Sequence, residues 1–263
     1  MTKKLILLSA VLLLSVLSPG SLTAAVSVSL SPPYIEKLMP SGGKLQDTIS
    51  YTNDSDTPML VTVDFADFGV SATGEVSEMP SGTDVTSLAR SIRISPSKIQ
   101  VPPGGRTFFR YSVTAPEEFT QLRSQIFFSS TPIVESAPNQ VLFVARMGIP
   151  IYVENVKAQP ADIKVHEVKW ERSGENNESL VLKAVVTNEG ERNIRPSGFL
   201  EVRSQDGRFA QTFPFNEGNE PVLPGQKREW TLSFGPVPGG ELSLDLRFAI
   251  GPRAMFRERY TVQ

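Results

Sequence analysis

Residues 139–155, NQVLFVARMGIPIYVEN, constrain this chain more than any other stretch. Side chains along a β-strand point alternately to opposite faces, so a strand with one wet face alternates apolar with polar. Here both sets are apolar. Val141, Phe143, Ala145, Met147, Ile149 and Ile151 form one; Leu142, Val144, Gly148, Pro150 and Tyr152, with Arg146, form the other. Such a strand is either central in a buried sheet or is joined by another chain. Pro150 bears on the choice, because proline cannot donate to a ladder and is kept to edges, ends and bulges. We read the stretch as the last strand of a first β-sandwich, at or near a sheet edge, with capacity to pair with a partner protein.

The rest of the chain repeats one unit, a short strand closed by a turn. Val26–Leu30 is interrupted by Ser31-Pro32-Pro33. Lys44–Thr52, Met59–Phe65, Ser91–Ser95, Lys98–Val101, Arg106–Thr114 and Ser124–Ser130 follow, punctuated by Gly, Pro, Asn and Asp. In Arg106–Thr114 the set Thr107, Phe109, Tyr111 and Val113 is the expected core face. Gly69–Thr86 reads as loop and Ser87–Ser91 as a single helical turn. Lys157–Ala161, with Pro160, reads as a linker. Beyond it, Ile163–Trp170, Leu180–Thr187, Gly198–Ser204, Arg208–Phe215, Arg228–Phe234, Leu242–Ile250 and Met255–Val262 read as strands, with a hairpin turn at Asp206-Gly207. Seven or so strands in each half, with no convincing helix, predict an all-β protein of two tandem immunoglobulin-like sandwiches, residues 26–155 and 156–263. The halves also share a signature. A strand ends in Thr52-Asn53-Asp54 or Thr187-Asn188-Glu189, and later a Pro-Gly turn leads through a basic residue into an aromatic strand.

Residues 1–25 have the pattern of a secretory signal peptide. Lys3 and Lys4 precede a 13-residue apolar core, Leu5–Leu17, and Thr23-Ala24-Ala25 supplies small residues for cleavage. That core is shorter than the ~20 residues of a membrane span, so the expected product is exported without a stable membrane anchor. There is no cysteine, hence no disulfide and no thiolate metal site, and the core alone must hold each sandwich. Removal of the leader takes two lysines, leaving 24 basic against 28 acidic residues and a net charge of −4. A mildly acidic surface argues against nucleic acid as a partner.

Catalytic and ligand-binding constellations are missing. The single histidine, His166, reads as a solvent-facing strand residue. No G-x-S-x-G elbow, P-loop or dinucleotide glycine pattern occurs. Asp54-Ser55-Asp56 reads as an Asx turn, because the further oxygen ligands of a calcium loop are absent. No enzyme activity, small-molecule substrate, metal or cofactor is expected.

Three stretches together resemble the periplasmic chaperones of the chaperone–usher pilus pathway: IRISPSKIQVPPGGRTFFRYSV (Ile92–Val113), LRSQIFFSS (Leu122–Ser130) and the stretch that opens this section. Members of that family lend the last strand of the first domain to an incomplete subunit by strand addition. The resemblance implies a periplasmic location, pilin-like exported subunits as partners together with an outer-membrane usher, and Val141, Phe143, Ala145, Met147, Ile149 and Ile151 as donors, or Leu142 and Val144 from the other set. The family also anchors the subunit carboxylate with an arginine on its first strand and a lysine on its last. Here Val26–Pro40 offers only Lys37, and Gly148 and Pro150 stand where the lysine is expected, which leaves Arg146 as the candidate substitute. The alternative function is a structural or adhesion-related sandwich protein of the cell envelope that lends no strand.

Overall fold

The structure, a computed structural model, describes residues 26–134, 143–176, 178–216 and 219–263. The expected leader lies outside them, as do Val141 and Leu142. Ten strands build the first sandwich: β1 (Val28–Ser31), β2 (Ile35–Met39), β3 (Lys44–Asn53), β4 (Met59–Val70), β5 (Val76–Met79), β6 (Ile92–Ser95), β7 (Lys98–Val101), β8 (Arg106–Thr114), β9 (Gln121–Pro132) and β10 (Ala145–Asn155). One sheet runs β1-β3-β8-β6; the other runs β2-β10-β9-β4-β5, with β7 also on β4. Seven strands build the second: β11 (Ile163–Ser173), β12 (Ser179–Asn188), β13 (Gly198–Ser204), β14 (Ala210–Phe215), β15 (Lys227–Phe234), β16 (Leu242–Gly251) and β17 (Ala254–Val262). They form the sheets β11-β12-β15 and β14-β13-β16-β17. The fold is all-β, two immunoglobulin-like sandwiches in tandem.

Alternation decides what is inside. On β8, Phe109, Tyr111 and Val113 are buried while Phe108 and Arg110 are exposed, the expected division. Tyr51, Phe109 and Phe128 pack edge to face across the two sheets, with centroids 6.3 and 5.0 Å apart. The Tyr51 hydroxyl shares a hydrogen bond of 2.9 Å with Ser130 Oγ, so the one polar atom of that ring is satisfied. Phe215, Trp230 and Phe248 do the same work in the second core. Each such side chain contributes roughly 1.5–3 kcal/mol of burial free energy, the main stabilising term available without disulfides.

The Ser31-Pro32-Pro33 interruption moves the chain from one sheet to the other. β1 pairs antiparallel with β3, whereas β2 pairs parallel with β10. One expectation needs correction. Gly69–Thr86 is not all loop: β4 continues to Val70 and turns through Gly74 (φ 93°) into β5. β5 is a four-residue edge strand with no fully buried residue, too short to leave a periodic signal. The expected single turn at Ser87–Ser91 is present over Leu88–Ile92, with the Ser91 and Ile92 N–H groups on Leu88 O at 2.8 and 3.1 Å. The Asp67 carboxylate holds this segment down. It accepts from Thr83 N, Asp84 N, Ser87 Oγ and Ser124 Oγ at 2.9, 3.0, 2.7 and 3.1 Å.

The repeated Thr-Asn and Pro-Gly signals turn out to be two ends of one contact. Asn53 Nδ2 donates to Thr57 O, Val101 O and Pro102 O, tying the end of β3 to the turn that precedes β8. Asn188 Nδ2 donates to Arg192 O and Val222 O, tying β12 to the turn that precedes β15. Both asparagines are fully buried, and β3–β8 and β12–β15 are corresponding antiparallel pairs.

Candidate functional site

β10 has two unlike halves. Ile151–Asn155 is flanked on both sides, by β2 and by β9. Ala145–Pro150 pairs with β9 alone, and among the described residues no strand lies along its other side. The expected edge therefore exists only over the first half; β2, arriving from the other sheet, covers the second.

The expected donor residues divide at the same point. Phe143 and Val144, just before the strand, are 65% and 55% exposed. Ala145 and Met147 are half-buried. Ile149 and Ile151 are sealed in the first core with Ile126 and Phe128. In this arrangement Ile149 and Ile151 have no exposed surface to lend. Val141 lies outside the described residues. The odd-numbered set thus faces the sandwich interior and runs out past its mouth, while Arg146, Gly148 and Pro150 belong to the opposite face of the sheet.

Arg146 is engaged within the molecule. Its guanidinium donates to both oxygens of Glu78 on β5 at 2.7 and 2.9 Å, lies 3.6 Å from Asp64, and sits 3.4 Å over the Phe127 ring. The hydrogen bond from Arg146 holds the Glu78 carboxyl below its ordinary value. A guanidinium with two carboxylates and an aromatic face is satisfied, so Arg146 is a clamp between β10 and β5 rather than an open carboxylate anchor.

The other face of β10 meets the second sandwich. Phe68, Tyr152 and Leu223 form a small apolar cluster, with Phe68 and Tyr152 edge to face at 5.9 Å. The β4–β5 hairpin reaches over it: Ala72 O accepts from Glu229 N at 2.8 Å and Val70 O from Gln226 Nε2 at 2.6 Å. Arg228, 2% exposed, pairs with Glu220 against the hairpin, and a Cβ at Gly74 would collide with its guanidinium. Arg195 stacks over Tyr34 at 4.0 Å and donates to Glu36 at 2.8 Å. A cavity of about 250 Å³ remains, lined by Phe68, Pro150, Tyr152, Arg195, Glu220 and Arg228. Apart from Pro150 and Tyr152, which belong to the 139–155 stretch, these residues did not stand out in the sequence, because their apolar and charged groups converge from distant strands and carry no local spacing.

Glu154 makes this junction sensitive to pH. It is buried, and its carboxylate accepts from Asn193 N at 2.6 Å. Burial pushes its carboxyl above the ordinary value, against the Asn193 hydrogen bond, and the Glu36 charge adds to the rise. A carboxyl raised in the folded state stabilises fully below the unfolded value and loses that contribution as pH rises through the folded one. Glu154→Gln keeps the acceptor and removes the charge. Its melting temperature is expected to exceed the native protein's at neutral pH, with the gap closing toward pH ~4.5; a gap that stays constant with pH would assign the effect to packing.

No protein-family model matches the chain, and no curated protein matches it. The chain is similar to solved fimbrial chaperones. The class 5 fimbriae chaperone CfaA aligns with TM-score 0.47 and 10% identity, over 90% of this chain and 100% of that one. The E. coli chaperone DraB aligns with TM-score 0.42 and 17% identity, over 90% and 96%. A Salmonella enterica structure of SafA pilin in complex with the SafB chaperone aligns with TM-score 0.44 and 15% identity, over 91% and 98%.

His166 is exposed on β11 and shares a hydrogen bond of 2.9 Å with Thr187 Oγ1. Ser55 N and Oγ bond to Asn53 Oδ1 at 3.2 and 2.5 Å, so the Asx turn is closed by Asn53, one residue before the expected Asp54-Ser55-Asp56. Among the described residues no three His, Cys, Asp or Glu side chains gather as a metal site, and no helix is long and apolar enough to cross a membrane.

Proposed function

We propose that this chain is a periplasmic chaperone that captures an exported, pilin-like subunit by strand addition along Ala145–Pro150. The observation that carries the reading is that, among the described residues, no strand pairs with the outer edge of that half-strand, which is continued by the exposed Phe143 and Val144. Edges of this kind are normally covered or charged in a protein that works alone. Proline has no N–H, so Pro150 fits the ladder only with its nitrogen turned away from β9. Antiparallel alternation then turns the N–H and C=O groups of Val144, Arg146 and Gly148 toward the open edge. The side chains offered are Phe143, Ala145 and Met147, a shorter set than the sequence suggested. An incoming strand gains main-chain hydrogen bonds, and the subunit's open groove gains apolar side chains. The motif resemblance supplies the class of partner and the receiving outer-membrane usher, and the strand pattern on either side of Lys157–Ala161 supplies the division into domains 26–155 and 156–263.

The test is capture from periplasm with the tagged native chain and with Phe143→Glu. The native chain is expected to retain a small β-rich protein in stoichiometric amount. The variant is expected to lose it by more than tenfold with an unchanged melting curve, since Phe143 is exposed. Equal capture by both, or none by the native chain, leaves the structural alternative standing.

A further inference from the structure

The opposite sheet of the first sandwich has an outer face of unusual charge. The register β1-β3-β8-β6 turns Lys44, Arg93, Arg106 and Arg110 outward together with hydroxyl and amide side chains and Phe108. No carboxylate shares those outward positions, although acids outnumber bases 28 to 26 in the chain. In the second sandwich three arginines, Arg247, Arg257 and Arg259, share the one carboxylate of Asp245. On this face the contacts are neutral. Arg93 donates to Ile92 O at 2.7 Å, Arg106 donates to Ser50 Oγ at 2.7 Å, and the Arg106 guanidinium lies 5.3 Å from the Phe108 ring centre. Phe108 is 56% exposed. Beside it lies a hollow of about 430 Å³, lined by Thr48, Arg93, Ser95, Phe108, Arg110 and Ser112.

We propose that this face binds an extended acidic segment of a partner protein, with carboxylates four residues apart on Arg106 and Arg110. Same-face positions on a strand recur every ~6.6 Å, so the two guanidinium groups are rooted about 13 Å apart. An extended segment with acids at i and i+4 spans the same distance and sets residue i+2 over Phe108. Guanidinium groups bind carboxylates through paired N–H donors, and arginine clusters are a recurring means of reading acidic motifs. Arg93, one strand over, supplies a third cation, and the hydroxyl groups of Thr48, Ser95 and Ser112 supply hydrogen bonds to a peptide backbone. A bilayer is the less suited occupant, because membrane binding needs a protruding apolar surface and Phe108 borders a hollow.

The test uses the exported chain and two fluorescent peptides, Ser-Glu-Thr-Val-Thr-Glu-Ser and Ser-Glu-Thr-Val-Glu-Thr-Ser, read by anisotropy at low salt. An extended backbone puts both acids of the first on one face and splits those of the second. The first is expected to bind roughly tenfold tighter, to weaken as salt rises, and to lose at least tenfold with Arg110→Glu and, independently, with Arg93→Glu. Both arginines are exposed, and melting curves confirm folding. Equal affinity for the two peptides, binding of neither, or indifference to both substitutions overturns the proposal. So does binding of phosphatidylglycerol vesicles in place of the peptides. Because the face lies on the sheet opposite β10, Arg110→Glu is expected to retain the partner captured through Phe143, so this proposal and the strand-addition reading fail separately.

Discussion

Alanine in place of Asn188 is expected to lower the stability of the second sandwich by about 2–4 kcal/mol. The side chain is completely buried and uses both ends. Nδ2 donates to Arg192 O at 2.7 Å and Val222 O at 3.0 Å, while Oδ1 accepts from Gly190 N at 3.1 Å and Asp162 N at 3.2 Å. Removing it strands the Arg192 carbonyl and two amides, while Val222 O keeps only the Ile194 N–H at 3.2 Å, in an environment where an unmet polar group costs about 1–3 kcal/mol, and some of that cost is recovered where water reaches the chain. Asn188→Asp is no rescue, because a carboxylate has no N–H to give Arg192 and Val222. Asn53→Ala is expected to do the same to the first sandwich. Denaturant unfolding checks both, and a loss well under 1 kcal/mol would show that the asparagines merely occupy the turns they join.

This prediction also shows what the sequence could reveal. Thr-Asn and Pro-Gly stand far apart in each half, yet their recurrence was legible, because one buried carboxamide needs a strand end and a turn in fixed relation. β8 was legible for another reason: one of its faces is wet, so alternation named Phe109, Tyr111 and Val113 as core. β10 was legible as a strand, but which of its side chains its own core takes up was not. Its two apolar sets implied two faces to cover, but not that β2 would return to cover only Ile151–Asn155. That pairing depends on the chain crossing between sheets at Ser31-Pro32-Pro33, about 120 residues upstream, and parallel pairing at such separation leaves no local pattern. Arg146 looked like an anchor because its partners, Glu78 and Asp64, sit on strands whose order the sequence does not state. The junction residues Arg195, Arg228 and Glu154 were invisible for the same reason.

The two halves of β10 are expected to respond to truncation in opposite ways. Ile151→Ala removes a side chain with no exposed surface, beside Ile126 and Phe128 in the first core. Such a change costs about 2–5 kcal/mol, the lost burial plus the cavity left behind, and lowers the melting temperature of the first sandwich by several degrees. Phe143→Ala removes a ring that is 65% exposed and outside the strand, so stability should shift by less than about 0.5 kcal/mol. Binding should follow the reverse order. With the partner gained through the open edge, Phe143→Ala loses most of the affinity while Ile151→Ala, assayed below its melting temperature, keeps it. The physical reason is that a side chain stabilises whichever core it enters. Ile151 is already committed to its own sandwich, and Phe143 is held out beyond it. If Ile151→Ala abolished capture while the domain remained folded, the donor set would extend into the covered half of the strand. Capture would then require β2 to leave β10 first, a rearrangement that would appear as slow, temperature-dependent association.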